Sequence, residues 1–404
     1  MLRDIKRYNP IGKEEKTAVM RVLDSGCLSA FIGGWGADFY GGHEVKQFEK
    51  ELADYFNVKH AVTFNSLTSG LIAAIGAIGI EPGDEVIVSP WTMSATATAI
   101  LIWGGIPVFV DIENEYYGLD PIKVQAAISS HTKAIIVTDI FGHGARLEEL
   151  TDICERHDLR LIEDVAQAPG VEYQGKYCGT WGHIGGFSLN YHKHIHTGEG
   201  GFCLTQDDDL ALKMQMIRNH AEASVVGSPL TDLTNMVGYN FRMGEMEAAI
   251  GREQLKKLAV LLNKNQLKAK VINQILTEVK DFKLTTLADK SGHAYYVLPI
   301  QIVNNSHNRQ AWLDKLHNMG IPGLMAGYVN VHRLPMYENK VAFGKSYPWS
   351  MAHREIQYGK DTCPIAEELM EMSFVGLLIS MYEISEKQSE FIAQSMVDTW
   401  NKLN

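Results

Sequence analysis

The chain has 404 residues, 46% of them hydrophobic and 21% charged, enough for two or three domains at roughly 150 residues each. Lys and Arg (37) against Asp and Glu (48) leave a net charge of −11 with histidine neutral. No positive excess exists to neutralise phosphate backbones or anionic lipid, so a general nucleic-acid or membrane-surface binder is not expected. Cys27, Cys154, Cys178, Cys203 and Cys363 are odd in number, far apart and without a C-x-x-C pair. They argue against a disulfide framework or zinc ribbon and fit a reducing compartment, the cytoplasm.

In chain order, the opening MLRDIKRYNP carries charges where an export signal needs an apolar run, so none is expected. The segment SAFIGGWGADFYGGHEV (29–45) is rich in aromatics and glycine and reads equally as a substrate-covering loop or a plain surface loop. From about 60 to 205, short β-branched runs alternate with helical patterns. The runs are AVTFN (61–65), EVIVS (85–89), PVFVDI (107–112), KAIIVTDI (133–140), LRLIEDV (159–165), GGFSLN (185–190) and GFCLTQ (201–206). This is the grammar of a mostly parallel sheet wrapped by helices, in which ligands bind outside the carboxyl ends of the strands. Ala95 to Val110 is the longest mostly apolar stretch, but Gly104, Gly105 and Pro107 break it, and it falls short of the ~20 residues that span a bilayer. Residues 246–280 read as one long helix that joins domains. Beyond it, 293–303 reads as a strand, 309–320 as a helix ended by Gly320 and 386–403 as a terminal amphipathic helix, together a smaller α+β domain.

Chemistry concentrates at the strand ends. FSLNYHKHIHTGEGG (187–201) places a lone Lys193 after a strand and before the turn Gly198-Glu199-Gly200-Gly201. A lysine becomes a nucleophile toward carbonyls when desolvated, and pyridoxal-phosphate enzymes need such a residue, although most lysines are solvated surface charges. Asp164 ends the strand LRLIED, where a carboxylate either caps the next helix or pairs with a protonated pyridine nitrogen. Gln167 is placed to reach the same ligand. Ser66-Leu67-Thr68-Ser69-Gly70 lies between a strand and a helix, as an ordinary N-cap or an anion site for a cofactor phosphate, with Ser188 as a further ligand. His192, His194 and His196 alternate, which on a strand would point to one face, but no third ligand completes a familiar metal set. No Walker A or dinucleotide fingerprint is present.

Together these segments resemble the DegT/DnrJ/StrS family of sugar aminotransferases, which are fold-type-I pyridoxal-phosphate enzymes. The likeness runs through HEVKQFEKELADYFNVKHAV, EPGDEVIVSPWTMSATATAIL, LIEDVAQAPG, FSLNYHKHIHTGEGG, IRNHAE, GYNFRMGEMEAAIG and, more faintly, DTCPIAEEL. The resemblance implies a large α/β domain (1–255) with a seven-stranded, mostly parallel sheet flanked by helices, and a smaller α+β domain (256–404). It implies pyridoxal 5'-phosphate as cofactor, Lys193 as its Schiff-base lysine and Asp164 as partner of the pyridine nitrogen. Gln167 would lie near the ring hydroxyl, and Thr68, Ser69 and Ser188 would hold the phosphate. Asn240 matches a residue that reaches the neighbouring subunit's cofactor, so a homodimer with shared sites is implied. Lys193 excludes the family's pyridoxamine-type sugar dehydratases, which carry histidine there. The implied reaction moves an amino group from glutamate or glutamine to a keto sugar, as in amino-sugar formation for polysaccharides or antibiotics.

The chain departs from the family pattern in places. Leu67 stands where glycine is expected, and Met93 aligns with the aromatic that stacks on the cofactor ring, with Trp91 as a substitute. Gly327 precedes Tyr328 where a His-Tyr pair is usual, with His332 retained nearby, and FVGLLISMYEI replaces the usual ending after CPIAEE. Arg242, Tyr328 and His332 are the expected substrate-side residues. The acceptor is expected to be nucleotide-linked, with a free keto sugar or cyclitol ketone as alternative and a non-catalytic scaffold as a third reading. An anionic acceptor meeting a chain of net charge −11 requires a local basic pocket, for which Arg242 and Arg333 are the candidates.

Overall fold

A computed structural model describes residues 2–224 and 230–403. Seven strands form the large sheet: β1 (His60–Phe64), β2 (Glu85–Val88), β3 (Ile106–Phe109), β4 (Thr132–Thr138), β5 (Arg160–Asp164), β6 (Ile184–Ser188) and β7 (Gly201–Thr205). Their order is β1-β7-β6-β5-β4-β2-β3. Only β7 runs against its neighbours β1 and β6, and the remaining pairs are parallel. Each strand matches one of the seven runs, and their near-continuous burial is what a sheet covered on both faces demands.

Helix Leu67–Ala77 is buried along most of its length and packs on β6 and β7. Its close approach needs small residues on both sides. A Cβ on Gly186 would sit 2.7 Å from Leu67 Cδ1, and one on Gly201 would sit 2.4 Å from the Leu67 amide nitrogen. Leu67 therefore seats the helix start on the two glycine-bearing strands.

The helix Glu245–Leu276 links two apolar cores. Its first part buries Ala248, Leu255 and Leu258 in the core around the large sheet, and its last turns bury Ala269, Ile272 and Leu276 in a second core. That second core lies on an antiparallel sheet of β8 (Phe282–Leu284), β9 (Leu298–Ile302), β10 (Leu324–Ala326) and β11 (Phe374–Leu377), ordered β8-β9-β11-β10. Phe282, Trp312 and Trp400 pack together at its centre, with centroids 5.0–5.3 Å apart. Leu2 and Ile5 rest against this core, and Lys6–Arg7 pair with Tyr382–Glu383. Val331, Tyr337, Trp349 and Cys363, by contrast, pack into the first core. The run 293–303 is a strand only from Leu298, and its first half is a loop whose Ala294 and Val297 amides donate to the Gly142 and Phe141 carbonyls. Among the described residues no helix is long and apolar enough to cross a membrane.

A buried ion pair fixes the strand that leads into Ser66–Ser69. Arg218 is fully buried, donates to Glu49 and to the Thr63 carbonyl (3.0 Å), and lies 4.8 Å from the Phe31 ring centroid. Glu49 also accepts from the Thr63 amide and hydroxyl at 2.9 and 2.8 Å. Removing one partner of such a pair strands the other charge, so Glu49→Ala should lower unfolding free energy in urea by about 3–5 kcal/mol. Lys50→Ala, which breaks the exposed Lys50–Asp54 pair on the same helix, should change it by less than about 1 kcal/mol. Equal effects would contradict this reading of the buried pair.

Candidate active site at the carboxyl edge of the sheet

Strand register gathers the site. Thr138 lies beside Asp164, Asp164 beside Gly186, Ser188 beside Gly201, and Gly201 beside Phe64. The segments that leave these positions are Ser66–Ser69, Asp164–Gln167 and Ser188–Lys193. Because β7 is antiparallel, the Gly198–Gly201 turn returns to the same edge. This is where a parallel sheet leaves room for a ligand.

Residues 189–199 are a looped segment, not a strand, so the alternation of His192, His194 and His196 places them on no common face. His194 is buried, with Nε2 on the Ala294 carbonyl at 3.0 Å, and the His196 ring accepts from the Gly198 amide at 3.3 Å. His192 is half-buried, and burial beside the Lys193 charge lowers its pKa to about 4. Among the described residues no His, Cys, Asp and Glu group is arranged to hold a metal ion. The loop is closed by Glu199, whose carboxylate accepts from Asn190 Nδ2 at 2.9 and 3.0 Å, while the Asn190 carbonyl accepts from the Lys193 amide. Gly198 takes φ +90° in this turn, a backbone region open to glycine.

Lys193 is 9% exposed. Its Nζ lies 4.6 Å from the centroid of the Tyr296 ring and makes no hydrogen bond or ion pair among the described residues. Burial lowers its pKa to about 8, against the opposing pull of Asp164. Asp164 is buried as well. Its Oδ2 accepts from the Thr96 hydroxyl at 2.7 Å and its Oδ1 from the Ala166 amide at 3.1 Å. Burial raises its pKa above the ordinary carboxylate range, while the Thr96 and Ala166 bonds and the Lys193 charge oppose the rise. Two opposite charges thus face each other within electrostatic reach without touching. Leaving buried charges apart is costly unless something completes them. A ring with a protonatable nitrogen at one end and an electrophilic carbon at the other suits this pair, so the residues fit pyridoxal phosphate.

The other end of the site gathers hydroxyls at a helix N-terminus. Ser66 caps helix Leu67–Ala77, its hydroxyl accepting from the Ser69 amide at 3.1 Å. Ser69 donates to Asn65 Oδ1 at 2.6 Å, and Thr68 is exposed with its hydroxyl uncommitted among the described residues. Ser188 is partly exposed at the end of β6. Asn240 is exposed close by, since its carbonyl accepts from Asn65 Nδ2 at 3.4 Å and its Oδ1 from Arg242 Nε at 2.8 Å. Hydroxyls around a helix N-terminus form a phosphate cradle.

The remaining expected residues divide between the opening and the interior. Gln167 accepts from the Phe141 amide at 2.8 Å and donates to the Tyr328 hydroxyl at 3.3 Å, which brings Tyr328 to the site. Met93 is 62% exposed at the opening, whereas Trp91 is fully buried against Tyr117, Phe141, Tyr328 and Phe374 and donates to Asn330 Oδ1 at 2.8 Å. His332 is fully buried, with Nε2 3.0 Å from Glu367, whose carboxylate also accepts from the Asp361 and Cys363 amides. The structure gives Trp91 and His332 packing and tethering roles away from the opening. Arg333 is paired with Glu371 at 2.7 Å, so its charge is already answered, whereas Arg242 has no carboxylate partner among the described residues. Thr96 and Tyr296 are absent from the sequence-based set. Thr96 reads as one small residue in an apolar helix and Tyr296 as part of a strand, and the only signal for either is proximity to Asp164 and Lys193 in space. Phe39 in the 29–45 loop is fully buried beside Met216 and Ala223, which anchors that loop, while Trp35 is exposed on it.

Known proteins share this architecture. A profile described as the DegT/DnrJ/EryC1/StrS aminotransferase family matches residues 11–357. The chain is 31% identical over 388 residues to the UDP-N-acetyl-3-dehydro-alpha-D-glucosamine 3-aminotransferase of Acidithiobacillus ferrooxidans, covering 96% of this chain and 93% of that protein. It is 33% identical over 356 residues to the GDP-perosamine synthase of Vibrio cholerae, covering 86% of this chain and 92% of that protein. The solved aminotransferase of pseudoaminic acid biosynthesis from Helicobacter pylori superposes with a TM-score of 0.80 at 26% identity, covering 98% of this chain and all of that one. With a match that spans the strand-end carboxylate, the lysine loop and both apolar cores, the chain belongs to the DegT/DnrJ/EryC1/StrS aminotransferase family.

Proposed function

We propose that this protein is a pyridoxal 5'-phosphate-dependent aminotransferase that passes an amino group from glutamate or glutamine to a keto sugar. The observation that carries the proposal is the buried, unpaired lysine held opposite a buried carboxylate at the sheet's carboxyl edge. Bound between them, the cofactor supplies an electrophilic carbonyl carbon and a ring that accepts electrons from the substrate carbon. Asp164 holds a proton on the ring nitrogen, with Thr96 and the Ala166 amide fixing its carboxylate. Lys193, with its lowered pKa, is neutral often enough near pH 8 to attack a carbonyl and to move a proton to and from the substrate carbon. Tyr296 shields one side of the amine from water. Gln167 positions Tyr328 at the opening, Met93 covers the ring there, and Thr68, Ser69 and Ser188 hold the phosphate.

The cofactor-holding part then takes in more than residues 1–255, because Val331, Tyr337, Trp349 and Cys363 pack into the core of the large sheet, while Leu2 and Ile5 rest on the second core. A second copy of the chain completes the site. Asn240 is exposed beside Asn65, and Leu28, Ile32, Trp35, Leu233, Val237 and Tyr191 are large apolar side chains left exposed, which a second copy would remove from water where it covers them. The acceptor is a keto sugar, nucleotide-linked as in the named relatives or free. Arg333 is held by Glu371 in an exposed pair, and Arg242, without a carboxylate partner among the described residues, is the candidate cation for a diphosphate.

Lys193→Ala should lower turnover with glutamate and a keto acceptor by at least about 100-fold, the lower range for a positioned acid–base group, while urea unfolding stays near that of the parent. Activity within tenfold of the parent would overturn the assignment. The pH dependence has a definite sign. Lys193 is protonated below its pKa of about 8, so the rate at which apoprotein captures pyridoxal phosphate, followed by absorbance, should rise about tenfold per pH unit below that value and level off above it. A rate still climbing at about pH 10 would mean that an ordinary surface lysine performs the capture.

A further inference from the structure

Two departures from the family pattern line one groove. Met93 replaces the expected aromatic and Gly327 the expected histidine, and both border a cavity of about 490 Å³ whose walls include Met325, Val329, Leu334 and Met370. No charged side chain lines it. Gly327 is held at φ +69° with its amide on the Phe374 carbonyl at 3.0 Å, and a Cβ there would lie 2.5 Å from the Met370 carbonyl oxygen. A side chain at 327 is therefore excluded by the backbone, and Met370 packs directly against that position and forms the wall there.

Two residues of the groove reach residues of the site through hydrogen bonds. On one side Thr92, which lines it, is 2.7 Å from the Thr96 hydroxyl that donates to Asp164, and it accepts from Thr138 at 3.0 Å. On the other side Tyr328 lines it and accepts from Gln167. Thr92 thus sits one hydrogen bond from the Thr96 that holds Asp164, and much of the remaining wall is thioether and aliphatic. Methionines are unbranched and polarizable and fit themselves to irregular apolar groups.

Resting on the transaminase reading, we propose that this groove is the acceptor's subsite for an apolar substituent, and that the keto sugar carries an acyl chain longer than acetyl, which lies along Met93, Met325 and Met370. The chain's apolar carbons gain from leaving water here, whereas a nucleoside diphosphate placed in the same groove would find no cation to answer its charge.

The test uses the loaded enzyme and two unreactive alcohol analogues of an amido keto sugar, one bearing acetyl and one hexanoyl, with binding read by calorimetry. The hexanoyl analogue should bind at least tenfold more tightly than the acetyl one, and Met325→Glu should cut that ratio to below threefold. Val329→Glu, at a position 56% exposed and so tolerant of a charge, should do the same if Met325→Glu fails to fold. Equal binding of the two analogues by the parent, or a ratio unchanged in both variants, overturns the subsite. Exchange of amino groups between glutamate and the enzyme is measured separately. Its failure would sink the transaminase reading while leaving the binding ratio to judge the groove.

Discussion

The site rests on a separation: Lys193 and Asp164 are both buried, opposite in charge and kept from contact. Were they to meet, they would form a closed internal salt bridge and the amine would lose its reactivity. What keeps them apart is backbone architecture. Asp164 is pinned at the end of β5 by its register with Thr138 and Gly186 and by its bonds to Thr96 and Ala166. Lys193 is pinned in a loop that Glu199 clamps to Asn190. Each group is desolvated and no ion pair joins them, an arrangement suited to binding a third group between them.

The rest of the molecule can be understood as support for that arrangement. The Arg218–Glu49–Thr63 network holds β1, which delivers Ser66–Ser69 to the edge. Gly186 and Gly201 let helix Leu67–Ala77 sit close enough for its N-terminus to face the same space. From the far side, Asp111 accepts from the Ile365 and Ala366 amides and so docks the Pro364–Glu368 helix onto the large sheet. Through Glu367 and His332 that helix ties down the segment that carries Tyr328. Helix Pro364–Glu368 and His332 thereby act on the site at one remove.

Much of this was legible in the residues. All seven strands of the large sheet fall on short runs visible in the sequence, most of them β-branched because a sheet buried on both faces needs uninterrupted apolar stretches, although GGFSLN, which forms β6, holds no β-branched residue. Lys193 and Asp164 were legible because each follows such a run directly, at the edge where ligands bind. Residues that act across the fold were not. Thr96 is a small hydroxyl in an apolar helix, and Tyr296 belongs to a segment whose alternation continues into β9. The histidine alternation at 192–196 would mean a common face only on a strand, and the segment is a loop. Trp91 and Met93 could not be ranked by spacing, since two positions on a loop carry no fixed facing. Burial separates them, with Trp91 enclosed and Met93 open.

A second lysine makes the central claim testable without relying on turnover. Lys268 also has its pKa lowered to about 8 by burial, but its ammonium is spent on Asn265 Oδ1 and the Ile379 and Tyr382 carbonyls, and the carboxylate that acts on it, Glu383, is exposed where Asp164 is buried. A low pKa alone would not distinguish the two. The account requires that pyridoxal phosphate added to the protein and fixed with borohydride be found by peptide mass spectrometry on Lys193, in the 187–201 segment. Label spread over Lys268 and surface lysines, with Lys193 unmodified, would contradict it.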